Sequence, residues 1–145
     1  MLSNFSLKIY NLAGKKSDLI AIGSLIFLSI LSFLLMYNLD LVLTYNDSMS
    51  HLNLTRLIID NQEPGISQLG GVWLPLNHIL PLVLIWNDLA WQTGFAASVF
   101  SMVSYVVSAI LIYRITNLIT KNKVASFVAA SVFALNLNIL YLQST

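Results

Sequence analysis

Long apolar stretches alternate with shorter polar ones along this chain. Leu19–Leu39 supplies 21 consecutive uncharged residues, Leu89–Tyr113 supplies 25 and Val124–Thr145 supplies 22. A helix crosses the hydrocarbon core of a bilayer with about 20 apolar residues. In lipid every backbone N–H needs an internal partner, which a helix provides. The pattern predicts an all-α, integral membrane helix bundle with transmembrane helices at 19–39, about 93–114 and 123–141. Segment Leu74–Trp86 has 13 residues and holds Pro75, Asn77, His78 and Pro81. Runs of that length are more often interfacial than spanning, and each proline removes a backbone donor. It is expected as a juxtamembrane helix at about 75–86, not as a fourth span. Residues 48–60 carry apolar side chains at 49, 52, 54, 57, 58 and 59, a rough helical stripe. They predict a second juxtamembrane helix, with Leu52, Leu57 and Ile59 toward lipid or protein. Any of Asn46, Asp47 and Ser48 can cap it, and Glu63-Pro64-Gly65 ends it.

Composition explains why lipid enters the picture. The chain is 57% apolar and 9% charged, whereas soluble domains carry roughly a quarter charged residues. A formal charge of +1 and no basic stripe exclude nucleic acid as a partner and leave membrane lipid. The absence of cysteine excludes disulfide and thiolate chemistry. Lys8, Lys15 and Lys16 precede the first apolar run as in a signal peptide. That run is too long, and it lacks a small-residue exit, so an uncleaved helix is expected. Six of the seven Lys and Arg fall at 8–16 or at Arg114, Lys121 and Lys123, and only Arg56 lies between the first two spans. Cytosolic loops carry the excess of basic residues. The expected order is a cytosolic segment 1–18, an extracytoplasmic loop 40–92, a cytosolic loop 115–122 and an extracytoplasmic end 142–145. Trp73, Trp86 and Trp91 are expected as anchors at the headgroup level.

The polar residues of the loop are the candidate chemistry. Asp47 and His51 stand four residues apart, which puts them on one face of a helix. Two readings stay open: a catalytic carboxylate with a polar helper or half a metal site, and an N-cap aspartate beside a surface histidine. His78 lies on an apolar segment, either as a ligand-binding residue or as a hydrogen-bonded interfacial histidine. Two histidines and scattered acids make no metal-ligand signature. Asn46-Asp47-Ser48 and Asn53-Leu54-Thr55 match the glycosylation triplet but sit too near the membrane to carry an oligosaccharide. Ala97, Ser98, Ser101, Ser104 and Ser108 are read as small residues that let helices pack closely.

Three stretches resemble a family. Asp47-Ser48-Met49-Ser50-His51-Leu52-Asn53-Leu54-Thr55-Arg56 is similar to an acidic motif followed by a juxtamembrane helix. Pro64 to His78 resembles a P-G-x-x-Q-L-G-x-V-W-L-P-L-x-H run, and Asn136 to Thr145 resembles the N-x-N-x-L-Y-L-Q-x-T end of a third span. Together they resemble the N-terminal part of the GT-C membrane glycosyltransferases, a group that includes protein O-mannosyltransferases and aminoarabinose transferases. The resemblance covers about residues 17–145. It implies a prokaryotic plasma-membrane enzyme that moves a sugar from a polyprenyl-phosphate donor to an acceptor at the extracytoplasmic face, with inversion. It implies Asp47 as catalytic base, His51 and His78 as substrate-binding residues, and Arg56 as relief for the leaving phosphate's charge. The need for a divalent metal stays open. The pattern departs at Ser48, where relatives carry Glu, and at Leu74-Pro75, where several carry Lys-Pro. A second acidic motif is expected beyond Thr145, so the chain is expected to be a fragment or a reduced relative. The alternative is a non-catalytic small membrane protein or assembly subunit.

Overall fold

The computed structural model describes residues 2–69 and 75–145, with side chains from 19 to 68 and from 75 onward. Gly70, Gly71, Trp73 and Leu74, and the side chains of Lys8, Lys15 and Lys16, lie outside the described residues. Among those described, the chain is helical and has no strand.

Helix α1 covers Leu2–Asn38. It stops where Asp40 takes φ 56° and the Leu41 N–H reaches back to the Met36 carbonyl at 2.9 Å. Helix α2 covers Asn46–Asp60. A 3₁₀ turn at Ile66–Leu69, a short helix α3 at Leu76–Ile79 and a second 3₁₀ turn at Leu80–Val83 follow. Helix α4 is Asp88–Gln92 and helix α5 is Phe95–Thr120. Helix α6 is Lys123–Ala134 and helix α7 is Leu137–Leu142.

Two helical segments are long and apolar enough to cross a membrane, Leu19–Asn38 of α1 and Phe95–Thr120 of α5. The helix expected to end near 114 continues past Arg114 for another six residues, so the expected loop 115–122 shrinks to Lys121-Asn122. Lys121 closes α5 at φ 52°, and the Asn122 side chain accepts from the N–H groups of Val124 and Ala125 to open α6. The helix expected over 123–141 is broken. Asn136 is extended, and its side chain accepts from the N–H groups of Asn138 and Ile139, which starts α7 afresh. At 12 residues, α6 is about 18 Å long, too short to cross a core of about 30 Å by itself. The expected helix 75–86 is likewise one turn of α-helix followed by a 3₁₀ turn, with Pro81 at the changeover.

Helices α5 and α6 fold back on each other, with Tyr105 stacked on Phe133 and its hydroxyl donating to the Ala134 carbonyl at 2.8 Å. Phe33 of α1 meets Phe95 of α5 edge to face. Gly94 starts α5 at φ 77°, and a Cβ there would fall 2.7 Å from a Val42 methyl. Only glycine lets α5 begin under the link between α1 and α2. A polar clasp joins α1, α5 and α7. Ser29 donates to the Gln143 side chain at 2.6 Å, Ser32 to the Leu140 carbonyl at 2.9 Å and Ser98 to the Ser144 carbonyl at 3.0 Å. A small apolar core of Leu52, Ile85 and Ala96 fastens α2 onto the start of α5. Leu52 and Ile59 thus face protein, while Leu57 stays exposed.

Candidate functional site

Tyr45, not one of the three short polar residues, stands at the N-cap of α2, and its side chain makes no cap bond. The Asp47 carboxylate makes no cap bond to the first-turn amides among the hydrogen bonds of this helix. It sits in the first turn, where the exposed amides favour an anion. It accepts a hydrogen bond from the Tyr45 hydroxyl at 3.2 Å. That bond and the carboxylate's charge raise the Tyr45 pKa above its usual value.

One turn along α2, His51 meets His78 of α3, with His51 Nδ1 and His78 Nε2 2.9 Å apart and the rings tilted at 46°. The two are 27 residues apart in sequence. His78 is 1% exposed, and its Nδ1 has no hydrogen-bond partner among the described residues. Burial, and then the nearby His51, lowers the His78 pKa below 6.5 and favours the neutral ring. Below His51, the buried Thr55 hydroxyl donates to the His51 carbonyl at 2.9 Å and steadies that turn.

Arg56 is engaged at all three of its nitrogens. Its Nε donates to Asp60, its Nη2 to Asp88 at 2.7 Å and its Nη1 to the Ile85 carbonyl at 2.6 Å. The Trp91 ring covers the guanidinium at 4.9 Å. The Asp60 hydrogen bond, reinforced by Asp88, raises the Arg56 pKa further. Trp91, expected as a headgroup anchor, also donates to Asn53 at 3.4 Å.

A cavity of about 550 Å³ opens beside Asp47 and His51. It runs along α5 past Ala97, Ser101, Ser104 and Ser108, about 16 Å of helix axis. These residues, expected to press two helices together, form a cavity wall instead. Ser98, turned into the clasp, packs helix on helix, and Ala97 also packs against the core of Leu52, Ile85 and Ala96. Asn77 of α3 and Gln143 beyond α7 add polar groups, while Leu80, Pro81, Phe100, Phe133, Ile139 and Leu142 make much of the wall apolar. Neither Arg56 nor His78 lines it: His78 stands behind His51, and Arg56 faces its carboxylates. No lysine or arginine among the described residues lines the cavity. Among the described residues no group of three or more His, Cys, Asp or Glu converges.

Reasoning from the sequence saw the serine face but not the space beside it. It did not see the His51–His78 contact, which no local spacing announces. Gln143 carried one signal, an amide side chain at the polar end of an apolar run. Comparison of the chain with protein-family models, curated proteins and solved structures gives no match.

Proposed function

We propose that this chain forms the base-bearing part of a membrane glycosyltransferase that uses a polyprenyl-phosphate sugar at the extracytoplasmic face. The observation that carries the reading is Asp47: an uncapped carboxylate just beyond the apolar end of α1, on the rim of a cavity that descends beside an apolar helix. A lipid-linked donor has its reacting carbon at that depth while its tail stays in hydrocarbon. In this reading the acceptor hydroxyl gives its proton to Asp47 as its oxygen bonds to the anomeric carbon. The bond from that carbon to the phosphate breaks, and the lipid phosphate leaves. The serines and Asn77 offer neutral hydrogen-bond partners to a hydroxyl-rich group. The α6–α7 pair acts as a broken third span, and the basic residues keep the N-terminus cytosolic.

Two experiments test this. Asp47→Asn, in native membranes, is expected to abolish most transfer of labelled sugar from the lipid donor; undiminished transfer refutes the base. The chain has no cysteine, so Ser48→Cys is a unique label site. Modification of intact cells by an impermeant maleimide is expected, and modification only after permeabilisation refutes the orientation.

One observation favours a second reading, a non-catalytic membrane module. Arg56 is the only basic residue between positions 17 and 113, and two carboxylates already neutralise it. The leaving phosphate then has no counter-charge from this stretch. Under that reading Asp47→Asn changes no transfer activity.

A further inference from the structure

We infer that His78 is a positioning residue: it donates its Nε2–H to His51 Nδ1 and so holds His51 in the tautomer with its proton on Nε2, beside the Asp47 carboxylate. The inference rests on the functional reading above for its purpose, and on geometry for its content.

Two imidazole nitrogens 2.9 Å apart must share one proton between them. Two arrangements are possible when both rings are neutral. If His51 donates from Nδ1, His78 must carry its own proton on Nδ1. That nitrogen is buried and has no acceptor among the described residues. A buried N–H without an acceptor is the rarer and costlier orphan. If His78 donates from Nε2, its Nδ1 keeps only a lone pair, and no buried donor is orphaned. This second arrangement also leaves both rings protonated on Nε2, the tautomer that free imidazole side chains prefer in water. Both considerations point the same way. The bond made by one ring nitrogen decides what the other nitrogen presents.

The consequence divides the labour on the cavity rim. His51 and Asp47 share one face of α2, one turn apart, and both line the cavity. With Nδ1 occupied by the bond from His78, His51 has no free lone pair to act as a base. Its one ring proton sits on Nε2, and Asp47 is left as the proton acceptor of the pair. His78 touches no ligand, yet it determines which chemistry His51 offers.

The test is nitrogen-15 NMR of the ¹⁵N-histidine-labelled chain in bilayers at about pH 8, where an ordinary imidazole is neutral. The wild-type chain is expected to show His51 Nδ1 in the bare, hydrogen-bond-accepting range and Nε2 in the N–H range. His78→Gln offers an amide N–H in place of the ring donor and is expected to keep that pattern. His78→Leu, with helical content checked by circular dichroism, is expected to shift both His51 signals toward tautomer-averaged positions. A wild-type His51 protonated on Nδ1 overturns the inference without any variant. Unchanged His51 signals in a folded His78→Leu protein overturn it as well. The measurement needs no sugar transfer. A fixed tautomer together with an inert Asp47→Asn therefore sinks the glycosyltransferase reading and leaves this one standing, and the reverse result does the opposite.

Discussion

Helix α2 carries two polar regions with opposite characters. At its C-terminal end, Arg56 has a partner for every face of its guanidinium: Asp60, Asp88, the Ile85 carbonyl and the Trp91 ring. At its N-terminal end, among the described residues, Asp47 has one hydrogen bond, from an exposed tyrosine at 3.2 Å, and it looks into open space. Both lie within three turns of one helix. A polar group with all its partners supplied by the chain serves the fold. A polar group left with few partners on a cavity wall is available to something else.

The largest effect that can break this comparison is functional. Asp47→Asn is expected to lower sugar transfer roughly 100- to 10,000-fold, the usual contribution of a positioned base. It should leave thermal unfolding in detergent unchanged within about 0.5 kcal/mol, as at other sites without supporting contacts. A stability loss with normal transfer would put Asp47 in the same class as Arg56. Next comes Arg56→Met, expected to destabilise by about 2–3 kcal/mol. Most of that comes from the Ile85 carbonyl left without a donor. The Asp60 and Asp88 side chains are 48% and 70% exposed, and exposed ion pairs contribute only about 0–1 kcal/mol each. Transfer lost at unchanged stability would instead put Arg56 on the substrate. Gln143→Leu extends the comparison into the bundle, since Gln143 is saturated by Ser29 and Ser144. A loss of about 1 kcal/mol is expected, typical of hydrogen bonds between helices in lipid.

The smallest effect concerns pH. The folded His78 resists a proton that the unfolded chain accepts, so the unfolded state binds more protons below 6.5. Stability is expected to stay level above that value and to fall as the pH drops from it toward the lowered folded value. His78→Gln should flatten this slope in detergent unfolding titrations. A slope that survives in His78→Gln would assign the titration to another group.

What could be read from residues alone follows the range of the forces involved. The apolar run behind Leu19–Asn38 and the stripe behind α2 are local patterns; α1 ends one residue before the expected boundary but begins at Leu2 rather than at 19, and α2 runs Asn46–Asp60 against the expected 48–60. The break at Asn136 is local too. It was obscured because hydropathy counts an isolated asparagine in an apolar run as a minor blemish, whereas its side chain can cap a new helix. The site depended on contacts that no window contains. His51 finds His78 only after the turn at 61–69 brings α3 back onto α2, and Arg56 finds Asp88 across 32 residues. Arg56 looks available in the sequence only until Asp60 is counted as its partner, a pair that a spacing of four makes routine. The serine face of α5 was visible in spacing. Whether it would meet a helix or a hollow depended on where α6 and α7 came to rest.

The clasp between Ser29 and Gln143 ties together positions 114 residues apart. During synthesis the inward hydroxyls of the first apolar helix therefore meet these partners only once residues 140–143 have been made. The part of the hollow's wall beside Asp47 that residues 139–145 supply is made about 90 residues after Asp47 itself, so a ribosome stalled between the two holds a chain that lacks that wall.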